Sequence, residues 1–87
     1  MLFECTEGFE TREFGFPQQV DRGTCWYRVR DVIVPGGYEC CHMLEVVDGQ
    51  YTANYVRIRL ERLSENFRQM PMSGSALPVP DSQSHAY

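Results

Sequence analysis

Three β-rich segments separated by two glycine turns restrict the fold more than any other feature of this sequence. Residues 25–34 combine aromatic and β-branched side chains, a composition that favours an extended strand. The Pro-Gly-Gly sequence at 35–37 predicts a turn, because proline presets one turn dihedral angle and glycine accepts a positive φ. A second strand is predicted at 38–47, and a third at 54–60 follows the Asp-Gly-Gln turn at 48–50. Together the segments predict a three-stranded antiparallel meander.

Pairing the three strands without bulges assigns every side chain to one face of the sheet. His42 then lies between Val29 and Val56, and most apolar side chains gather on one buried face. The other face carries arginine and aromatic side chains, which are enriched at binding hot spots because they combine contact area with directional polar groups. The predicted partner-binding residues on that face are Trp26, Arg28, Arg30, Met43, Tyr55, Arg57 and Arg59.

Two glutamates leave a second interpretation of this face open. Glu39 and Glu45 fall between the arginines in the predicted register, so exposed cross-strand ion pairs would account for the pattern without any partner. The acidic N-terminal segment offers further carboxylates to the same arginines. In that interpretation the face is a solvated sheet surface.

The N-terminal third is expected to cover or extend the meander, because a three-stranded sheet with a bare face is only marginally stable. Two short apolar runs, at 2–5 and 14–16, predict strands that close a small barrel. After Leu60 the apolar spacing changes to that of a helix, which predicts a short turn capped by Ser64 and ending before Pro71. The predicted fold class is mainly β: a small SH3-like barrel or a strongly bent antiparallel meander with one short C-terminal helical turn.

Composition divides the chain into a small β domain, residues 1–70, and a tail, residues 71–87. The tail is rich in proline and serine, which predicts a flexible segment. Its Leu-Pro-Val-Pro sequence at 77–80 suits either a spacer or a polyproline helix that docks in an aromatic groove. No apolar run approaches the roughly 20 residues needed to cross a bilayer, and the N-terminus lacks a secretion signal, so we expect a cytoplasmic protein without membrane association.

Charge limits the kinds of partner. The formal net charge of −4 opposes general attraction to nucleic acid, whose phosphates normally select a basic surface. The chain holds no lysine, so its cations other than histidine are guanidiniums, which suit planar bidentate contacts.

The Cys-Cys-His sequence at 40–42 raises the alternatives of a zinc site and a reactive thiol. Zinc ligands usually lie two to four residues apart on a turn, whereas adjacent strand residues diverge, so the four cysteines are expected to be reduced and buried or half-buried. In the unbulged register Cys41 lies between Arg30 and Arg57, where positive charge would favour a thiolate. His42 points the other way, and no other catalytic motif is recognisable. We therefore predict no enzyme activity, no metal site and no cofactor.

One stretch of the chain has a familiar layout. Gly-Thr-Cys-Trp-Tyr-Arg-Val-Arg at 23–30 is followed by a Pro-Gly turn, Leu-Glu-Val at 44–46 and a closing Asn-Phe-Arg at 66–68. Over about residues 23–68 it resembles small SH3-like β-barrel proteins of unknown function encoded by bacteriophages and prophages, which share a strand with a Tyr-x-Val sequence and end in a Phe-Arg pair. The chain departs from them in its acidic N-terminal third and its tail. The resemblance implies an SH3-like fold and a mobile-element origin, with no activity attached.

The leading hypothesis is a non-enzymatic protein-binding module, of phage or mobile-element type, that binds or inhibits a host protein through its arginine and aromatic strand face. One alternative is a small nucleic-acid-binding regulator, because small barrels also hold phosphates with arginine and stack bases on aromatic rings. Another is a zinc-binding or thiol-dependent protein. The sequence specifies neither the partner nor the oligomeric state.

Overall fold

A computed structural model of the protein describes residues 1–71. Within them the chain forms seven strands and one helix. In chain order these are β1 (Leu2–Cys5), β2 (Phe9–Thr11), β3 (Gln18–Val20), β4 (Cys25–Ile33), β5 (Glu39–Val47), β6 (Gln50–Arg59), α1 (Glu61–Asn66) and β7 (Phe67–Gln69). The tail predicted at 71–87 lies, apart from Pro71, outside the described residues.

Five strands form one antiparallel sheet in the order β6-β5-β4-β1-β7, and β2 pairs with β3 in a separate hairpin. The mainly β fold and its β4-β5-β6 meander are thereby confirmed. The end strands β6 and β7 do not pair with each other, so the sheet is open and the predicted closed barrel is wrong. Of the two N-terminal runs, β1 joins the sheet beside β4, whereas residues 14–16 form the loop between β2 and β3. The SH3-like layout stays a prediction.

The glycine turns connect the meander as the sequence indicates. The Val34 amide donates to the Tyr38 carbonyl at 3.1 Å and closes the turn between β4 and β5. Between β5 and β6, Asp48 and Gly49 have φ angles of 52° and 77°, the two positive values that a tight two-residue hairpin requires. This tight turn lets β6 begin at Gln50, four residues earlier than predicted.

Two irregularities change the faces of the meander. The first four residues of β4 pair with β5 in the predicted register, but the register then shifts and leaves Val29 as the extra residue of a bulge. A second shift divides the pairing of β5 with β6. His42 therefore lies between Arg30 and Arg57, not between Val29 and Val56. Because a slip of one residue moves a side chain to the opposite face, the predicted contents of the two faces are partly exchanged.

The hydrophobic core lies on the face of the sheet that was predicted to be exposed. Trp26 and Met43 are 1% and 0% exposed and belong to this core. The register of β6 is the reason, since it places Val56 and Ile58 on the same face as Met43. The Trp26 indole nitrogen donates to Thr24 Oγ1 at 2.8 Å, so the buried ring has its polar atom satisfied. The core cluster comprises Phe3, Cys5, Phe9, Val20, Trp26, Cys41, Met43, Val56, Ile58 and Phe67.

The helix α1 follows β6 almost directly and returns the chain to the sheet as β7. The predicted helical turn is thus present, with Leu60 and Leu63 packed against the core. The predicted cap is wrong, because the helix begins after Leu60 and Ser64 Oγ donates to the Glu61 carbonyl inside it at 3.1 Å.

The β2–β3 hairpin covers the outer edge of β6 and positions a loop on the far side of the sheet. Thr11 Oγ1 donates to the Arg57 carbonyl at 3.0 Å, and Gln18 Nε2 donates to the Tyr55 carbonyl at 2.7 Å. These bonds satisfy carbonyl groups on the free edge of β6, which could otherwise accept hydrogen bonds from a strand of another molecule. The connecting loop, residues 12–17, then passes over the edge and contacts the face opposite the core. Strand β5 is consequently buried along both faces.

Candidate functional site

The structure divides the seven predicted partner-binding residues between two faces. Trp26 and Met43 lie in the core, so the prediction that all seven share one exposed face is wrong. Arg28 lies opposite Met43 and is bonded to both carboxylate oxygens of Asp31 at 2.9 and 2.7 Å. The remaining four residues share the opposite face. We call this surface the arginine face and define it as Arg30, Tyr55, Arg57 and Arg59 with two residues that were not predicted, Phe14 and His42.

A row of three side chains crosses the arginine face at right angles to its strands. Arg30 on β4, His42 on β5 and Arg57 on β6 are direct cross-strand partners. Neighbouring strands lie about 4.8 Å apart, so the imidazole has one guanidinium on each side. Arg57 Nε donates to His42 Nε2 at 3.1 Å.

His42 is a neutral donor and acceptor in this row. Its side chain is mostly buried, at 9% exposure. That burial, followed by the charges of Arg57 and Arg30, lowers the pKa of His42 below its ordinary value of 6.5. The imidazole is therefore uncharged at neutral pH, and since Nε2 accepts from Arg57, its proton lies on Nδ1.

Aromatic rings hold Arg57 in place. The guanidinium carbon lies 4.8 Å from the centroid of the Phe14 ring, and Nη1 donates to the Glu13 carbonyl at 3.5 Å. Phe14 and Tyr55 both contact the His42 ring, with centroids 5.7 and 6.2 Å away. These contacts fix the orientation of the Arg57 side chain.

Phe14 reaches this position because of the loop between β2 and β3. Gly15 has a φ of 90°, a left-handed value that few other residues adopt, and its amide donates to the Arg12 carbonyl at 2.9 Å. The turn sets the Phe14 and Phe16 rings in a stack 6.0 Å apart. Phe16 is 53% exposed, so an apolar ring stands at the rim of the arginine face.

Arg59 differs from the other two arginines of the face because its charge is compensated. Glu13 Oε2 accepts from Arg59 Nε at 3.1 Å, and Glu13 Oε1 accepts from the Tyr38 hydroxyl at 2.7 Å. The hydrogen bond from Tyr38, together with Arg59, lowers the pKa of Glu13. The carboxylate is also influenced by Arg57, but its hydrogen bonds go to Tyr38 and Arg59.

Arg30 and Arg57 have no carboxylate of their own: within residues 1–71 neither forms an ion pair. Of the alternative interpretation, the cross-strand pairs of arginine with Glu39 and Glu45 are not found within residues 1–71, whereas the acidic N-terminal segment does supply Glu13 to Arg59. Glu45 accepts instead from Asn54 Nδ2 at 2.9 Å. The row Arg30–His42–Arg57 therefore carries two positive charges, and the Glu13 carboxylate acts on Arg57 only without direct contact.

The cysteines take no part in this site. All four are free, with Cys25 half-buried and the others buried, as expected. Cys41 is 0% exposed on the core face, and burial raises the pKa of its thiol to about 12. The thiolate considered at Cys41 is therefore wrong, because the register shift removes it from Arg30 and Arg57. In the described part of the chain no three His, Cys, Asp or Glu side chains are placed to hold a metal ion.

Apart from the arginine face, a cleft of about 350 Å³ lies between β2, the end of β6 and α1. Its lining carries three arginines and three glutamates, so their formal charges cancel. The charged lining residues are Glu10, Arg12, Glu13, Arg59, Glu61 and Arg62.

No protein-family model, curated protein or solved structure matches this chain. The resemblance to phage and prophage proteins accordingly stays a prediction. Among residues 1–71 there is no helix with the length and apolar character needed to cross a membrane.

Proposed function

We propose that the chain is a non-enzymatic protein-binding module whose contact surface is the arginine face with Phe16. The observation that carries this proposal is the pair of arginines without an ion pair, Arg30 and Arg57, on the same face as an exposed phenylalanine ring that stacks on Phe14. Arginine and aromatic side chains dominate binding hot spots, because each combines large contact area with either directional donors or a rigid ring. Arg57 is also held in position before binding by Phe14 and His42.

The charges of the surface select an acidic partner segment. Arg30 and Arg57 offer donors to carboxylates, and the stacked rings of Phe14 and Phe16 offer an apolar platform for a neighbouring side chain. The rest of the molecule is acidic, with a net charge of −4 for the chain, which disfavours a long polyanion such as RNA or DNA. Following the resemblance to phage and prophage proteins, we extend the proposal to a host protein as the partner, occupied at an acidic surface.

Selection from a library of random displayed peptides tests this proposal. We expect the selected peptides to carry aspartate or glutamate next to an aromatic or aliphatic residue. Arg57→Gln should weaken their binding by about tenfold, the loss expected for a charged hydrogen bond. The matched control is Arg22→Gln, which removes the same charge from an exposed arginine outside the arginine face.

Two outcomes would contradict the proposal. One is a set of selected peptides that bind Arg57→Gln and Arg22→Gln equally well, provided that both variants keep the unfolding temperature of the parent protein. The other is binding of a single-stranded oligonucleotide that weakens steeply with salt while no peptide is selected, which would favour the nucleic-acid alternative.

A further inference from the structure

We infer that the row Arg30–His42–Arg57 is a receptor for a phosphoryl group carried by the partner protein, an inference that rests on the proposed function and names the anion it recognises. The carrying observation is geometric: two guanidiniums without carboxylate partners lie on either side of one imidazole.

The two arginines act on one point of the surface. Both are cross-strand neighbours of His42, and both lie close enough to influence its protonation. An anion bound at the exposed edge of the imidazole therefore has Arg30 of β4 on one side and Arg57 of β6 on the other. A phosphoryl group carries a charge close to −2 at neutral pH and so matches two guanidiniums, whereas one carboxylate matches a single guanidinium.

The number of free donors also fits a group with three oxygens. Arg57 uses Nε for His42 and Nη1 for the Glu13 carbonyl, so Nη2 remains available. Arg30 is exposed, and none of its nitrogens has an acceptor within residues 1–71. The Nδ1 proton of His42 likewise has no acceptor in the described part of the chain. These donors exceed what the two oxygens of a carboxylate accept, and a phosphoryl group has three strong acceptors.

The neighbouring carboxylates do not compete with such an anion. Glu13 is engaged by Tyr38 and Arg59, and Asp31 is engaged by Arg28 on the core side of the sheet. Phe14 covers the inner part of the row, which lowers the local dielectric constant and strengthens a charge-assisted hydrogen bond. The row therefore combines two arginines that form no ion pair with an apolar side made by the Phe14 ring.

Binding of small anions to the folded protein tests the inference directly. The probes are phenyl phosphate, benzoate and inorganic phosphate, followed by NMR signals of the Arg57 Nε–H and the His42 ring. We expect phenyl phosphate to shift both signals and to bind about tenfold more tightly than benzoate, because it engages both guanidiniums. Inorganic phosphate should shift the same signals. Equal affinities for phenyl phosphate and benzoate, or shifts that spare the Arg57 and His42 signals, would overturn the inference.

Matched variants locate the anion. Arg30→Gln and Arg57→Gln should each weaken phenyl phosphate binding by about fivefold or more, whereas Arg22→Gln should change it by less than about twofold. A uniform effect of all three variants would show only non-specific attraction and would contradict the inference. Loss of the folded NMR spectrum in Arg57→Gln would leave Arg30→Gln, whose exposed side chain forms no hydrogen bond or ion pair within residues 1–71, as the deciding variant.

The inference and the proposed function fail in different ways. Peptides from the display selection can be synthesised with phosphoserine in place of their acidic residue. If the acidic peptides bind through Arg57 and the phosphoserine forms bind no better, the phosphoryl inference is wrong and the protein-binding proposal stands. If phenyl phosphate binds the row but neither displayed peptides nor phosphoserine peptides bind it, the protein-binding proposal is wrong.

Discussion

The two faces of the sheet share strand β5, but different segments of the chain cover them. On the core face, Met43 and its neighbours are covered by the β2–β3 hairpin and by residues flanking α1, and they are essentially inaccessible. On the arginine face, His42 is covered by Tyr55 of the same sheet and by Phe14 of the loop 12–17. Alternate residues of β5 thus lie on two different surfaces: Cys41 and Met43 belong to the hydrophobic core, whereas His42 lies in the row with Arg30 and Arg57.

The contrast teaches that burial alone does not identify the core of this domain. Cys40 and Cys41 are both 0% exposed, yet only Cys41 belongs to the hydrophobic core cluster. The difference lies in what covers each side chain. Variants on the two faces should therefore differ in what they disturb.

The largest difference is expected between Trp26 and Tyr55. Trp26→Ala removes a fully buried ring from the core and should lower the free energy of unfolding by about 3–5 kcal/mol. Tyr55→Ala removes a ring at the surface of the arginine face and should lower it by less than about 1 kcal/mol. Urea unfolding measures both values. Equal losses would mean that the arginine face is as much a core as the other face.

Cys41 and Cys25 allow the same comparison of the two faces, with smaller expected changes in the free energy of unfolding. Cys41→Ser places a hydroxyl without a hydrogen-bond partner in the apolar core and should destabilise the domain by about 1–3 kcal/mol. Cys25→Ser, at a half-buried position on the opposite face, is the matched change and should be close to neutral. Urea unfolding of the two variants checks this, and a larger loss for Cys25→Ser would contradict the assignment of faces.

A substitution of Phe14 tests whether this ring covers His42 and holds Arg57 on the arginine face. Phe14→Ala removes contacts with His42 and Arg57, and we expect a loss of about 1–2 kcal/mol in the free energy of unfolding. Exchange of the Arg57 Nε proton with solvent should accelerate in the same variant. Phe16→Ala, at the exposed rim, is the control and should change neither measurement appreciably. Unchanged Arg57 exchange in Phe14→Ala would show that the loop does not hold the guanidinium.

The smallest expected effect is a pH dependence that belongs to His42. Because its pKa is lowered in the folded state, the unfolded chain takes up a proton first as the pH falls through the ordinary value of 6.5. The free energy of unfolding should therefore decrease with falling pH from that point and level off below the folded pKa. A further decrease should follow below 4.5, as Glu13, whose folded pKa is lowered, is protonated.

Urea unfolding at a series of pH values measures this profile. His42→Gln should remove the first decrease and leave the second, which makes the assignment specific. A first decrease that survives in His42→Gln would assign it to another group.

The sequence predicts the elements of this fold better than it predicts their faces. Strands β4 and β5 and their turns follow from local composition, because β-branched and aromatic runs and the glycines act within a few residues. The bulge at Val29 has no such signature, since valine is an ordinary strand residue and the extra position is decided by packing across the sheet. That bulge and the shift of β6 are why Trp26 and Met43 were placed on the wrong face.

The candidate site was predicted in part for the same reason. Arg30, Arg57 and Tyr55 lie on one face, as predicted. They could be selected from the sequence because arginine and tyrosine are residue types favoured at interfaces. Phe14 was missed because its role depends on a hairpin that packs against β6 from far away in the chain. His42 was missed because the unbulged register sends it into the core. The glycine between Phe14 and Phe16 is the feature of the sequence that could have predicted a turn here, and Gly15 has the positive φ that such a turn needs.

Both proposals depend on which residues are the cross-strand partners of His42, and cross-strand nuclear Overhauser effects identify these partners directly. The structure predicts contacts between the backbone protons of His42 and those of Arg30 on one side and Arg57 on the other. Contacts of His42 with Val29 and Val56 instead would restore the unbulged register. In that case the row of two arginines around one imidazole would not exist, and both proposals for the arginine face would fail.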